Sequence, residues 1–539
     1  MTVATHRAIL LGDPPVTEGH NAAGVSENIL KVLQGDFSLT TDGMRAQLSG
    51  MAFDGAYFKL HAEAELCARI DLDPEWVLPS WDGGHLLEKV LDDVRWKDLN
   101  VTWHRKIAGD AAEILSKISW GKAFEEVLKV AEQLEQRLKN PAAHCDTRFA
   151  QAERKVYENL AGNYQIIVTH NEALESADLT GLSDGMRQRG RERAAEAKNF
   201  LKELRKMEFV VRVLGLSDLL RHVKNLSLFQ QTVNTLPWEV QEKEIYFHDV
   251  LLNTVLTEEL HNNTLTEENF PLLFKHQAEL TTKMYLGVNL TVAPAHHGNG
   301  RAAFLSLLKE LARWCDVTRE YFKTRFQHHV QIGWMAKCMD LRKLCLSPCQ
   351  LSAHDKEHLK KIYDWATLVG KIELPTFDEL WEQHKLVKVR LMAARMTEGY
   401  ASKWKDASGT VLMEDLFTDE RLYEDVQDWL YLFQLCALKI QNEAVVEGMG
   451  STIDRHATSV RGLTQDKYVK ESFIEYNGPA PSECDGFLTA ALGLHFKGKP
   501  WKFHHTDVRN RGKYQGMSSV VSRLHQRTSK LAFMADDEW

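Results

Sequence analysis

The stretch MAFDGAYF at 51–58 is apolar up to Asp54, which places a carboxylate where a buried strand would end. A carboxylate fixed at a sheet edge suits a Mg²⁺ ligand, because hard cations take oxygen ligands held by stiff elements. The same Asp54–Gly55 pair also reads as an ordinary turn. A second set, Cys338, Cys345, Cys349, His354 and His358, gathers soft metal ligands in the spacing C-x6-C-x3-C-x4-H-x3-H. Structural zinc sites favour closer cysteine pairs, so buried or surface helical residues are the better reading there. APAHHGNGRAAF at 293–304 could present backbone amides to a phosphate, but no Gly-Lys-Ser/Thr follows, and an interhelix loop is favoured.

Two segments have the chemistry of polyanion contact. MRQRGRERAAEAKNFLKELRK, residues 186–206, has eight Lys/Arg and three Glu, with Arg187, Arg191, Lys198 and Lys202 on one helical face. That face is either simply solvated or meets phosphates. Residues 496–530 have nine Lys/Arg and one acid, Asp507, against a net charge of −9 for the whole chain. There Lys497, Lys499, Lys502, Arg509 and Arg511 alternate with Trp501, Phe503 and Tyr514, a pattern suited to backbone contact and base stacking.

The elements that must position these residues divide the 539-residue chain into an α/β portion, 1–97, a large helical domain, 98–478, and a C-terminal basic segment, 479–539. His6 to Val16, Leu48 to Phe53 and Trp76 to Trp81 read as short strands, and helices follow near Gly24, Ala64 and His85. Beyond residue 98 the chain is proline-free from 142 to 236 and from 376 to 478, with helical spacing such as Ile114, Leu115, Ile118 and Val426, Trp429, Leu430, Phe433. Hydrophobic residues at 44% and charged residues at 26% exclude a mostly disordered chain. No apolar run approaches the ~20 residues of a membrane span, so no membrane partner is expected. The opening residues lack a secretory pattern, and eight cysteines suit a reducing compartment, so an intracellular, nuclear or cytoplasmic location is expected.

Taken in order, LLGDPPVTEGHNAAGVSENILKVL, GMAFDGAYF, SWDGGHLLEKVLDDV and HCDTRFAQAERKVYENL resemble the hAT superfamily of DNA transposases, over about the first 170 residues. The resemblance implies a ribonuclease H-like core interrupted by a large helical insertion. This chain would carry a truncated form of that core, followed by the all-α body. It implies an Asp-Asp-Glu set holding two Mg²⁺ ions for phosphoryl transfer. Asp54 matches the second Asp. Asp82 and His85 match a motif beside the metals that usually reads Cys-x-x-His. The first Asp belongs to a strand upstream of this chain's opening segment, and Asp13 matches a later strand. Glu483, in PSECDGF, is the nearest match to the Glu. With so incomplete a set, the expected function is DNA binding by an inactive transposase derivative. A non-enzymatic helical scaffold for protein partners or self-association is the alternative, followed by an active metal-dependent nuclease.

Overall fold

The computed structural model describes residues 21–439, except 37, 49, 54–58, 60, 120, 140–148, 182, 233–234, 328–331, 347–352, 369–372, 397–408, 410–411 and 414–419. The described residues are mostly helical and all fall in one unit, Met1–Tyr476. The expected strand at 6–16 lies outside them.

Helix periodicity is met along most of the chain. Ala22–Lys31 begins where the Asn21 side chain accepts from the Gly24 amide, and Gly83–Trp96 buries Leu86, Leu87, Val90, Leu91 and Val94. The centre of the body is the 24-residue helix Met207–Gln230, apolar on nearly every side, as a helix surrounded by others must be. It packs against Phe149–Gly162, Pro271–Thr281 and Gly300–Phe326. Gly215 permits the last of these contacts, since a Cβ there would collide with the side chain of Leu311. Asp218 on the same helix is buried and accepts from the amides of Leu272 and Leu273, capping Pro271–Thr281 from outside. A π-helical stretch, Tyr246–Val255, joins Pro237–Ile245 to Leu256–Asn262.

Among the described residues, strand content is smaller than the sequence predicts. β1 is Ala52–Phe53 and β2 is Ser80–Trp81, paired in parallel with Ala52 opposite Ser80 and Phe53 opposite Trp81. The expected strand at 76–81 begins as a helical turn, Pro74–Val77. Asp73 caps that turn and Pro74 opens it, a combination that favours helix over strand. Leu78 then turns the chain with φ 52° before β2. Beyond residue 97 the described strands are β3, Met284–Tyr285, and β4, Val288–Asn289, a hairpin turned by Leu286 and Gly287, both with positive φ.

Two apolar cores form, and they do not follow chain order. One is built from Trp81 through Phe326. The other joins residues between Leu30 and Val77 to residues between Ile332 and Ala437, with Leu236 and Trp238 added from the body. Helices late in the chain therefore cover the apolar residues around β1. Gly50 lies so close to the Leu438 carbonyl that a Cβ would not fit. Lys439 fastens the same junction. Its ammonium donates to the carbonyls of Trp76 (2.8 Å) and Val77 (3.3 Å) and lies 4.7 and 4.6 Å from the ring centroids of Trp76 and Trp365. Burial pulls that ammonium down to about 7.

Candidate functional site

The parallel pair sends both strands toward one edge, where ligands of parallel α/β sheets bind. Ser80 donates its amide to the Met51 carbonyl (2.8 Å) and Asp82 its amide to the Phe53 carbonyl (3.3 Å). Asp54 follows Phe53 directly in sequence and lies outside the described residues. Its counterpart Asp82 is buried and acts as N-cap of Gly83–Trp96, its Oδ2 accepting from the His85 amide at 2.6 Å. Sequence reading brought Asp82 and His85 together as site residues. The structure places them together through this cap, with the carboxylate turned onto its own helix.

The rest of the turn is closely packed. The His85 ring stacks on Trp81 at 6.3 Å, and the Lys59 ammonium lies 5.7 Å from the centroid of that indole. Gly83 faces buried Gln230 and Glu244, which are bonded to each other at 2.7 Å; a Cβ would press on both. The turn thus rests against two helices of the body, and glycine is the residue that fits.

Glu483 and the basic set Lys497, Lys499, Lys502, Arg509 and Arg511 lie outside the described residues, as does Cys349. Cys338 is buried, its thiol donates to the Asp355 carbonyl, and burial pushes it up to about 12. His354 is exposed, and a His358 ring nitrogen meets the His354 carbonyl at 2.6 Å. Among the described residues no three His, Cys, Asp or Glu side chains converge as a metal site requires. In the 293–304 segment, Asn299 caps Gly300–Phe326 by accepting from the Ala302 amide at 3.0 Å. That helix end is satisfied by its own chain.

One cluster has no counterpart in the sequence reading. Arg95, His104, Glu153, Tyr157 and Trp314 meet from four helices, each 6% exposed or less. Trp314 donates Nε1–H to His104 Nδ1 at 3.2 Å, which leaves His104 Nε2 to carry the proton and donate to Glu153 Oε1 at 2.8 Å. The Tyr157 hydroxyl donates to the same oxygen at 2.5 Å, and Arg95 pairs with the other. Burial alone would raise the Glu153 carboxyl, but His104, Arg95 and Tyr157 together pull it down to about 2. Arg325 and Lys97 hold Asp93, two residues before Arg95 on the same helix. These groups fix the register of Gly83–Trp96, the helix that carries the Asp82 turn. The available signal was charge within an apolar period: Arg95 directly follows Val90, Leu91 and Val94.

No family model, no curated protein and no solved structure matches this chain. Among the described residues no helix is long and apolar enough to cross a membrane.

Proposed function

We propose that the chain is a nucleic-acid-binding derivative of a hAT-type DNA transposase that no longer cleaves DNA. The observation that carries this reading is the nested core. Residues between Leu30 and Val77 share one apolar cluster with residues between Ile332 and Ala437, and Trp81 through Phe326 form a separate body between them. An α/β core interrupted by a helical insertion has this organisation. The parallel pair β1–β2, with DGGH after its second strand, agrees with it.

Asp54 and Glu483, the other carboxylates that the resemblance implies, lie outside the described residues. Asp82 caps its own helix through Oδ2, and among the described residues no three His, Cys, Asp or Glu side chains converge as a metal site requires. The work left to the chain is binding of the phosphate backbone, which the basic segment 496–530 is composed to do.

The test uses the full chain and a fluorescent DNA duplex of arbitrary sequence. Binding should weaken steeply with salt, and neutralising Lys497, Lys499, Lys502, Arg509 and Arg511 to Gln should weaken it for every sequence alike and flatten the salt dependence. With Mg²⁺ or Mn²⁺ the duplex should stay intact. Cleavage that vanishes in Asp54→Asn would overturn the inactive reading. Absence of DNA binding would overturn the whole proposal in favour of a protein scaffold.

A further inference from the structure

We infer that the outer face of helix Asp184–Leu204 is a second phosphate-contacting surface for DNA, separate from the basic C-terminal segment; this rests on the DNA-binding reading above. The argument starts from how the helix sorts its charges. Arg187, Arg191, Lys198 and Lys202 are spaced by four, seven and four residues, which sets them within an arc of roughly 60°. The row runs about 22 Å along the axis at 1.5 Å per residue.

The acids of the helix lie elsewhere and are occupied. Glu196 pairs with Lys117 at 2.6 Å, and Glu203 pairs with Lys106 at 3.1 Å and with Lys206. Glu192 accepts from Gln188 at 2.9 Å, and Arg193 is held by Glu126. The pairs with Lys117, Lys106 and Glu126 are directed toward Thr102–Ile118 and Gly121–Gln133. The one acid on the basic row is Asp184 at its start, 3.6 Å from Arg187. Arg191, Lys198 and Lys202 are exposed, and among the described residues no carboxylate lies within ion-pair distance of them. The neighbouring helix Thr102–Ile118 thus neutralises Glu196 and Glu203, and Arg191, Lys198 and Lys202 are left facing water. The face has not become a lattice of internal salt bridges, the usual state of a helix this rich in both signs.

A straight row of cations matches a stiff polyanion. The competing partner, an anionic membrane, calls for apolar side chains interleaved with the cations. Here the positions that border the row most closely midway along it are Ala194 and Ala195, which offer no anchor.

The experiment measures full-chain binding to the same duplex across 50–200 mM NaCl, for the parent, for Arg191→Gln/Lys198→Gln/Lys202→Gln, and for a charge-matched control, Lys129→Gln/Lys275→Gln/Lys309→Gln. Loss of three phosphate contacts should make the plot of log K against log salt shallower by about 2.7, at about 0.9 per contact, while the control stays near the parent. Binding by the parent with equal slopes for both triple variants would overturn this inference and leave the proposed function standing. No binding by the parent would overturn both. Preferential loss of binding to phosphatidylserine vesicles, with DNA binding unchanged, would also overturn it and assign the face to lipid.

Discussion

Removing the Glu153 carboxylate would leave the Arg95 guanidinium and the His104 ring buried without the group that joins them. A broken buried pair of this kind costs on the order of 3–5 kcal/mol, so Glu153→Gln should be strongly destabilising at pH 7 by urea denaturation. The sign of its pH dependence follows from the depressed carboxyl. With a folded value of about 2, the stability Glu153 lends is present above its unfolded value of about 4.3 and is lost as pH falls toward 2. The gap between parent and Glu153→Gln should therefore narrow from pH 5 to pH 3; a constant gap would refute the assignment. The cluster was hidden in the sequence because its members are joined only by tertiary packing: Arg95 and Glu153 are 58 residues apart, and His104 and Trp314 are 210. The sequence singles out Asp82 for its match to a metal-side motif, whereas its visible role, capping Gly83–Trp96, follows from its place directly before that helix.

At the scale of elements, the DGGH turn makes capping separable from metal ligation. Asn caps as well as Asp, so Asp82→Asn should change stability by less than about 0.5 kcal/mol, whereas Asp82→Ala should cost about 1 kcal/mol in urea denaturation. Equal losses in both variants would argue that the charge itself matters at that position. The helices were readable because their apolar period survives in the sequence, as with Ile114, Leu115 and Ile118 or Trp429, Leu430 and Phe433. The strands were over-read for a local reason. Trp76 and Val77 have strand-like side chains, but Asp73 and Pro74 commit them to a helical turn. The β3–β4 hairpin was missed because its turn uses Leu286 at positive φ, where sequence rules look for Asn or Asp before Gly.

At the largest scale, the described residues form two cores threaded through each other in sequence. The body from Trp81 to Phe326 carries its own core, so residues 80–327 expressed alone should give a helical, cooperatively unfolding monomer. Residues 1–79 alone should be insoluble, because Phe53, Trp76 and Val77 are covered by the 332–437 helices, and co-expression with 328–539 should rescue them. Size-exclusion chromatography and circular dichroism check both; a soluble, folded 1–79 would contradict the shared core. This nesting was only partly legible. Composition and proline spacing marked a helical body after residue 98, but nothing local distinguishes helices that close the body from those that return to the first residues. Lys439 is the nearest thing to a flag, a single cation in the apolar run LCALKI.

The shared core also sets a schedule for a growing polypeptide. Between the emergence of Val77 and that of Ile332 the ribosome adds roughly 255 residues, on the order of 13–50 s at ~5–20 residues per second. For that interval the apolar residues of the opening segment have no cover of their own, while the intervening body can already fold. Biosynthesis of this chain therefore passes through a stage at which a finished domain trails an unfinished, sticky leader, the stage at which a holdase chaperone has most to offer.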